Sequence, residues 1–150
     1  MNILTNMPTF GTTENILKLI KTKMWENILD GICKIKDNTI IIDFIYFKHF
    51  ATNYTYDMIM DKLVQILTCS LINNEELEIH LNMKGLTVLE IEKHSTFFQK
   101  ISSFCQTTFP NKLNSCYVYN TPFVFSSVLN ILSLFIDKET INKIKIVKTY

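Results

Sequence analysis

The sequence predicts an α/β fold around a mostly parallel five-stranded sheet. Three observations predict it. Helical four-residue apolar spacing and strand-like alternation take turns along the chain, in the order α-β-β-α-β-α-β-α-β. Hydrophobic residues make up 47% of the 150 and charged residues 19%, which is enough apolar material for one packed core. Only three Gly and three Pro punctuate the chain, and no repeat or low-complexity linker divides it. The reading is therefore a single domain over 1–150, with 1–12 as a loosely ordered N-terminus.

Each element has its own signal. Thr13 to Asp30 reads as a helix, because Ile16, Ile20, Met24 and Ile28 recur every four residues, with Thr13 to cap it and Gly31 to stop it. Asp37-Asn38 marks a tight turn between two strands, the second running from Thr39 to Phe47. Thr55 to Ile72 is helical, with Ile59, Leu63, Ile66 and Leu67 on one stripe. Leu77 to Met83 alternates strictly and reads as a strand. Leu86 to Thr108 is a third long helix, closed by Pro110. Ser115 to Asn120 is a strand, and Pro122 to Ile136 a helix that is apolar nearly all round. Asp137 caps a short helical turn, and Ile144 to Val147 is the last strand.

Composition excludes several classes. Net charge is +1, and all fifteen basic residues are Lys. A chain without Arg has no bidentate grip on phosphate or guanine, so no nucleic-acid partner is expected. Cys33, Cys69, Cys105 and Cys116 form no C-x-x-C pair, so neither a zinc knuckle nor a dithiol motif is expected. His49, His80 and His94 lack metal-ligand spacing, and no hydrolase, nucleotide or dinucleotide fingerprint occurs. No catalytic residue, metal or cofactor is expected, and the chain is read as a non-enzyme. Met1 to Gly11 lacks the form of a signal peptide. The most apolar stretch, Phe123 to Ile136, is shorter than the about 20 residues a membrane span needs. The expected location is the cytoplasm, at most peripheral at membranes.

Four pieces of the second half carry a family resemblance. They are Leu81-Asn82-Met83-Lys84-Gly85-Leu86, then Phe109-Pro110-Asn111-Lys112-Leu113, then Asn120-Thr121-Pro122-Phe123-Val124-Phe125, then Asp137-Lys138-Glu139-Thr140-Ile141-Asn142-Lys143-Ile144. In order and spacing they resemble the CRAL-TRIO domain, the lipid-binding domain of phosphatidylinositol-transfer and retinaldehyde-binding proteins. That family writes D-x-x-G-L/I, Y-P-E-R-L, N-x-P-x-x-F and P-F-L-D-x-x-T-x-x-K-I. Here Asn82 replaces the Asp, and Asn111 replaces the Glu that helps hold an inositol headgroup.

The resemblance implies helices mainly on one sheet face and a gate-like helix over the other, closing an apolar pocket. The gate would be 122–136. The implied ligand-binding residues are Phe44, Tyr46, Tyr117, Tyr119, Phe123, Phe125, Val128, Leu129 and Leu132, with Lys143 and Asn111 at a headgroup. The implied partner is a lipid or another hydrophobic small molecule, reached through transient membrane contact. The alternative is a protein-interaction module on the same fold, working as a homodimer or on a protein partner. A third reading resembles the anti-sigma antagonist type and would need phosphorylation, for which Thr87 is the candidate. One strand departs from the fully buried pattern, and its polar face either lines a wet pocket or meets solvent, in which case no closed pocket forms. Glu76, Glu78, His80 and Asn82 fall on one face of it, so a sheet face with polar groups near Asp43 is expected.

Overall fold

Five strands lie side by side in chain order: β1 Cys33–Lys36, β2 Thr39–Asp43, β3 Leu77–Asn82, β4 Leu113–Tyr119 and β5 Ile144–Ile146. The computed structural model describes residues 7–121, 123, 125–133 and 136–148, without the side chains of Ser127, Val128, Ile131 and Leu132. Only the β1–β2 pair is antiparallel. Asp37 and Asn38 make its two-residue turn with φ of 51° and 64°. Positive φ at both positions suits the twist of a hairpin, and Asp and Asn tolerate it best after Gly. The expected α/β class and mostly parallel five-stranded sheet are what the structure shows.

Strand register gives the sheet two unlike faces. Ile40, Ile79, Cys116 and Ile144 stand in one row, and Ile42, Leu81, Val118 and Ile146 in the next. This apolar face meets the core. From above it, α2 (Trp25–Ile32) buries Ile28, Leu29 and Ile32, and α4 (Tyr56–Asn73) buries Ile59 and Leu67. Ile91 of α5 (Val88–Lys93) and Phe97 of α6 (Ser95–Thr108) complete it. Each such side chain contributes about 1.5–3 kcal/mol when fully buried. The opposite face carries Ile41, His80, Tyr117 and Lys145 in one row, and Asp43, Asn82 and Tyr119 in the next.

The gate-like helix, α7 (Phe125–Leu132), contacts α5, and its Phe125 packs on the apolar cluster. Where the expectation set this helix over the opposite face, it joins the others. Right-handed crossovers between parallel strands laid in chain order deliver every connecting helix to one side. The polar face is instead crossed by the residues just before α1 (Thr13–Lys21). The Phe10 ring lies 5.3 Å from that of Tyr119, and Gly11 N–H donates to Asp43 at 2.8 Å. Residues 1–6 lie outside the described chain.

Three long elements are divided. The expected helix over 13–30 breaks into α1 and α2 at Lys23, whose φ is 57°. Met24 N–H reaches Leu19 C=O at 2.9 Å and Lys23 N–H reaches Ile20 C=O at 3.1 Å. This is a Schellman end with Lys where Gly is usual, so the stop left no mark in the sequence. Glycine at this site is free of the left-handed penalty. Lys23→Gly is therefore expected to raise stability by about 0.5–1 kcal/mol in urea unfolding.

The expected strand over 39–47 ends at Asp43. Asp43 Oδ1 accepts from Ile45 N–H at 3.2 Å and caps α3 (Phe44–Phe50). Phe44, Phe47 and Phe50 are spaced by three and all buried, which a helix allows and a strand does not. The expected helix over 86–108 bends at His94 into α5 and α6. A one-turn helix, α8 (Lys138–Ile141), leads into β5.

Candidate functional site

The polar sheet face is tied by two hydrogen-bond networks. The first joins the carboxyl ends of β2, β3 and β4, the end at which open α/β sheets present ligand sites. Asn82, fully buried, donates from Nδ2 to Asp43 Oδ1 at 2.8 Å. Its Oδ1 accepts from Asn120 Nδ2 at 3.0 Å and from Lys84 N–H at 3.1 Å. Burial pushes the Asp43 carboxyl above its usual range, while hydrogen bonds from Gly11, Asn82 and Ile45 and the Lys34 charge pull it back. This explains Asn82. A carboxylate there would have no hydrogen to give Asp43, whereas an amide both donates and accepts. Three residues on, Gly85 turns the chain with φ of 84°, as the motif requires.

The second network centres on His80. Its Nδ1 is 2.6 Å from the Tyr119 hydroxyl and its Nε2 is 3.2 Å from Glu78 Oε2. The tautomer that satisfies both has Tyr119 O–H donating to Nδ1 and Nε2–H donating to Glu78. Burial, with Glu78 and Tyr117 adding to it, pushes Tyr119 up to about 12, so the phenol keeps its proton at neutral pH. The imidazole stacks on Tyr117 at 5.1 Å and on Tyr119 at 5.7 Å. Lys145 Nζ lies 5.4 Å from the Tyr117 ring centre. The sequence places Glu78, His80 and Asp43 on one face, and they do share it, in two separate networks. The second network ends inward at Tyr119 beside Phe10 and outward at Glu78.

Glu78 also borders an open depression of about 410 Å³ with Asp37, Thr39, Glu76 and Asn114. A second, apolar depression of about 470 Å³ lies between α4 and α6, lined by Met60, Val64 and Phe104. Among the described residues no cluster is fit to hold a metal ion. Burial pushes the Cys33 and Cys116 thiols up to about 12 and Cys105 up to about 11, so these sulfurs stay protonated and unreactive at neutral pH.

The sequence-predicted ligand residues fall into separate places. Phe44 is buried with its ring 5.7 Å from Phe47. Tyr46 lies between Gly11 and Gly31, where an added Cβ would come within 2.3 Å of its ring. Tyr117 and Tyr119 stand on the polar face, across the sheet from α7, because strand side chains alternate. Phe125 and Leu129 are half-buried on α7, and Phe123 before it is fully exposed. The side chains of Val128 and Leu132 lie outside what is described. Lys143 is half-buried, and its carbonyl accepts from Cys116 N–H at 3.0 Å. Asn111 is exposed in the turn before β4 with φ of 57°. Thr87 accepts from Glu90 N–H at 3.2 Å and caps α5.

Sequence reasoning missed the shared role of Asp43, Asn82 and Asn120. The available signal was three short polar residues at the carboxyl ends of three strands. It also passed over His94, which is buried.

Comparison with known proteins agrees with this geometry. The model of the CRAL/TRIO domain matches residues 36–150. The Sec14 cytosolic factor of Schizosaccharomyces pombe is 32% identical over 66 residues, 44% of this chain and 23% of that protein. The SEC14 cytosolic factor of Yarrowia lipolytica is 29% identical over 66 residues, 44% of this chain and 13% of that protein. The matched stretch thus spans less than a quarter of either relative's length. The crystal structure of Sfh5 superposes with a TM-score of 0.66 at 17% identity, over 83% of this chain and 48% of that one, a likeness of fold. Motifs, sheet order and family model converge over the same residues: the chain belongs to the CRAL/TRIO domain family.

Proposed function

We propose that this domain binds a lipid or another small hydrophobic ligand without covalent chemistry and exchanges it with a membrane surface. The observation that carries the reading is the family match over 36–150, which includes the whole sheet from β2 onward and α7. The ligand's apolar part lies between α7 and the apolar sheet face, against Phe125 and Leu129. Opening requires α7 to lift from α5, and among its described side chains Phe125 and Leu129 leave partial burial. Two exposed apolar side chains, one on α5 and one just before α7, suit contact with a bilayer. Leu89 on α5 is 76% exposed and Phe123 is fully exposed. Among the described residues no helix is long and apolar enough to cross a membrane, so the contact is at the surface. Lys143 meets a headgroup phosphate as a point charge. Asn111, lacking the carboxylate of the family pattern, contributes an amide instead.

Native mass spectrometry of the protein purified from cells, followed by organic extraction, tests the reading. A stoichiometric extra mass that extracts as a lipid is expected. Phe125→Asp is expected to abolish loading while circular dichroism stays unchanged, since the position is only half-buried. A bare polypeptide, above all one that self-associates, would overturn lipid binding. It would favour a protein-interaction module on the same fold, to which the polar sheet face also lends support.

A further inference from the structure

His94 stands at the joint between α5 and α6 and is 1% exposed. Four helices meet on it. Phe47 of α3 meets it edge-on at 4.8 Å, and Phe98 of α6 lies 6.0 Å away. From α4, the Tyr56 hydroxyl is 2.5 Å from Nδ1. From α5, Glu90 Oε2 is 3.3 Å from Nε2, but the two are not aligned to bond, and each atom is buried without a hydrogen-bond partner. With Tyr56 donating to Nδ1, the neutral ring carries its hydrogen on Nε2.

We propose that His94 is a pH-operated latch: neutral, it holds the α5–α6 joint against α3 and α4; protonated, it lets that corner open and frees α5, the helix on which α7 rests. The physical reason is the surroundings. A second proton must go on Nδ1, so the bond that Tyr56 donates to the neutral ring is lost and its hydroxyl must turn to accept instead. The resulting cation faces aromatic rings on the α3 and α6 sides. The charged groups that reach it are Glu90 and Lys93, both on α5, while α4 offers only the Tyr56 hydroxyl. Burial holds the imidazole below the ordinary histidine range, Lys93 adds to this, and Glu90 opposes it.

The sign follows from proton counting. A native state that keeps His94 neutral binds fewer protons than the unfolded chain. Its stability is complete above the ordinary histidine value of 6.5 and is lost as pH falls from there toward the depressed native value. Asp43 has the opposite sign, since its raised carboxyl favours the native state on the acid side. An acid-induced opening is therefore assigned to His94 and not to Asp43.

Amide hydrogen exchange of the ligand-free protein, read by mass spectrometry and corrected for intrinsic rates, is the test. Peptides over 86–108 and 125–133 are expected to open more at about pH 5.5 than at about pH 7, by up to about tenfold per unit that the imidazole is depressed. Peptides of α1 should not change. His94→Phe keeps a ring in place but cannot take a proton, and should abolish the difference. Should that variant not fold, Tyr56→Phe serves. It removes the hydrogen bond to the neutral ring, so it should raise the opening already at about pH 7 and shrink the acid-induced difference. Equal protection at both pH values in the parent, or an unchanged acid response in both variants, would overturn the latch. The link from the latch to ligand exchange rests on the proposed function. Exchange without ligand reads the latch alone, whereas lipid mass reads binding, so the two fail separately.

Discussion

Replacing Phe47 with alanine is expected to lower the unfolding free energy by about 3–5 kcal/mol. The ring is buried on α3 and lies 5.7 Å from Phe44, 5.6 Å from both Phe97 and Phe98, and 4.8 Å from His94. It is thus the common neighbour of α3, α5 and α6. The lost transfer energy is only part of the cost. The neighbouring rings are stiff and held by their own helices, so the vacated space cannot close fully. Domains of this kind are stable by about 5–15 kcal/mol, so the variant should sit near the edge of folding. Urea unfolding checks the figure. Trp25, whose ring is 5.8 Å from Phe50 at the far end of α3, provides the fluorescence signal. A loss below about 1.5 kcal/mol would mean that the cluster collapses freely, and that α3 is not rigidly seated.

Asn82→Asp should cost about 3 kcal/mol or more at neutral pH. The change looks conservative and restores the residue that the family pattern writes. In this chain it removes the hydrogen donated to Asp43 and sets two carboxyl groups against each other at a site with no exposure. Two such groups share one proton, and the shared proton is held above the usual carboxylate range. The sign is opposite to that of the histidine latch. The variant's deficit should shrink as pH falls, because acid supplies the missing hydrogen, and grow as pH rises. Urea unfolding of parent and variant at about pH 7 and about pH 5 separates the two effects, since the His94 contribution is common to both and cancels. A deficit that does not change with pH would show that Asp43 and Asn82 are not coupled.

Much of this was legible beforehand, for identifiable reasons. The parallel sheet followed from periodicity, because β3 alternates cleanly and α4 carries a strong four-residue stripe. The hairpin at Asp37-Asn38 followed from the two residue types best able to adopt positive φ after Gly. What escaped notice has a common physical cause. Lys23 ends α1 through backbone hydrogen bonds, with a side chain that gives no hint of it. Phe44 to Phe50 combines β-favouring residues with a helical spacing of three, and the Asp43 cap plus burial decided the outcome. The side on which α7 lies depends on crossover handedness, which no local pattern encodes. For the candidate site, the polar face was readable from alternation within β3, but its bonding partners were not, since Tyr119 and Asn120 are about forty residues away.

The order of the strands in space is also their order along the chain, and this bears on how the molecule is made. During synthesis the amino-terminal part appears first. The β1–β2 hairpin needs only a two-residue turn to form. Every later strand then finds its neighbour already in place, and no strand must be inserted between two others. The sheet can therefore lengthen one edge at a time as the chain emerges, with each crossover helix covering the apolar face behind it. The growing edge is always the newest strand, so the nascent protein exposes one pairing edge to its surroundings at each stage beyond the hairpin's own outer edge. Such assembly limits the opportunity for mispairing between neighbouring chains on the same message.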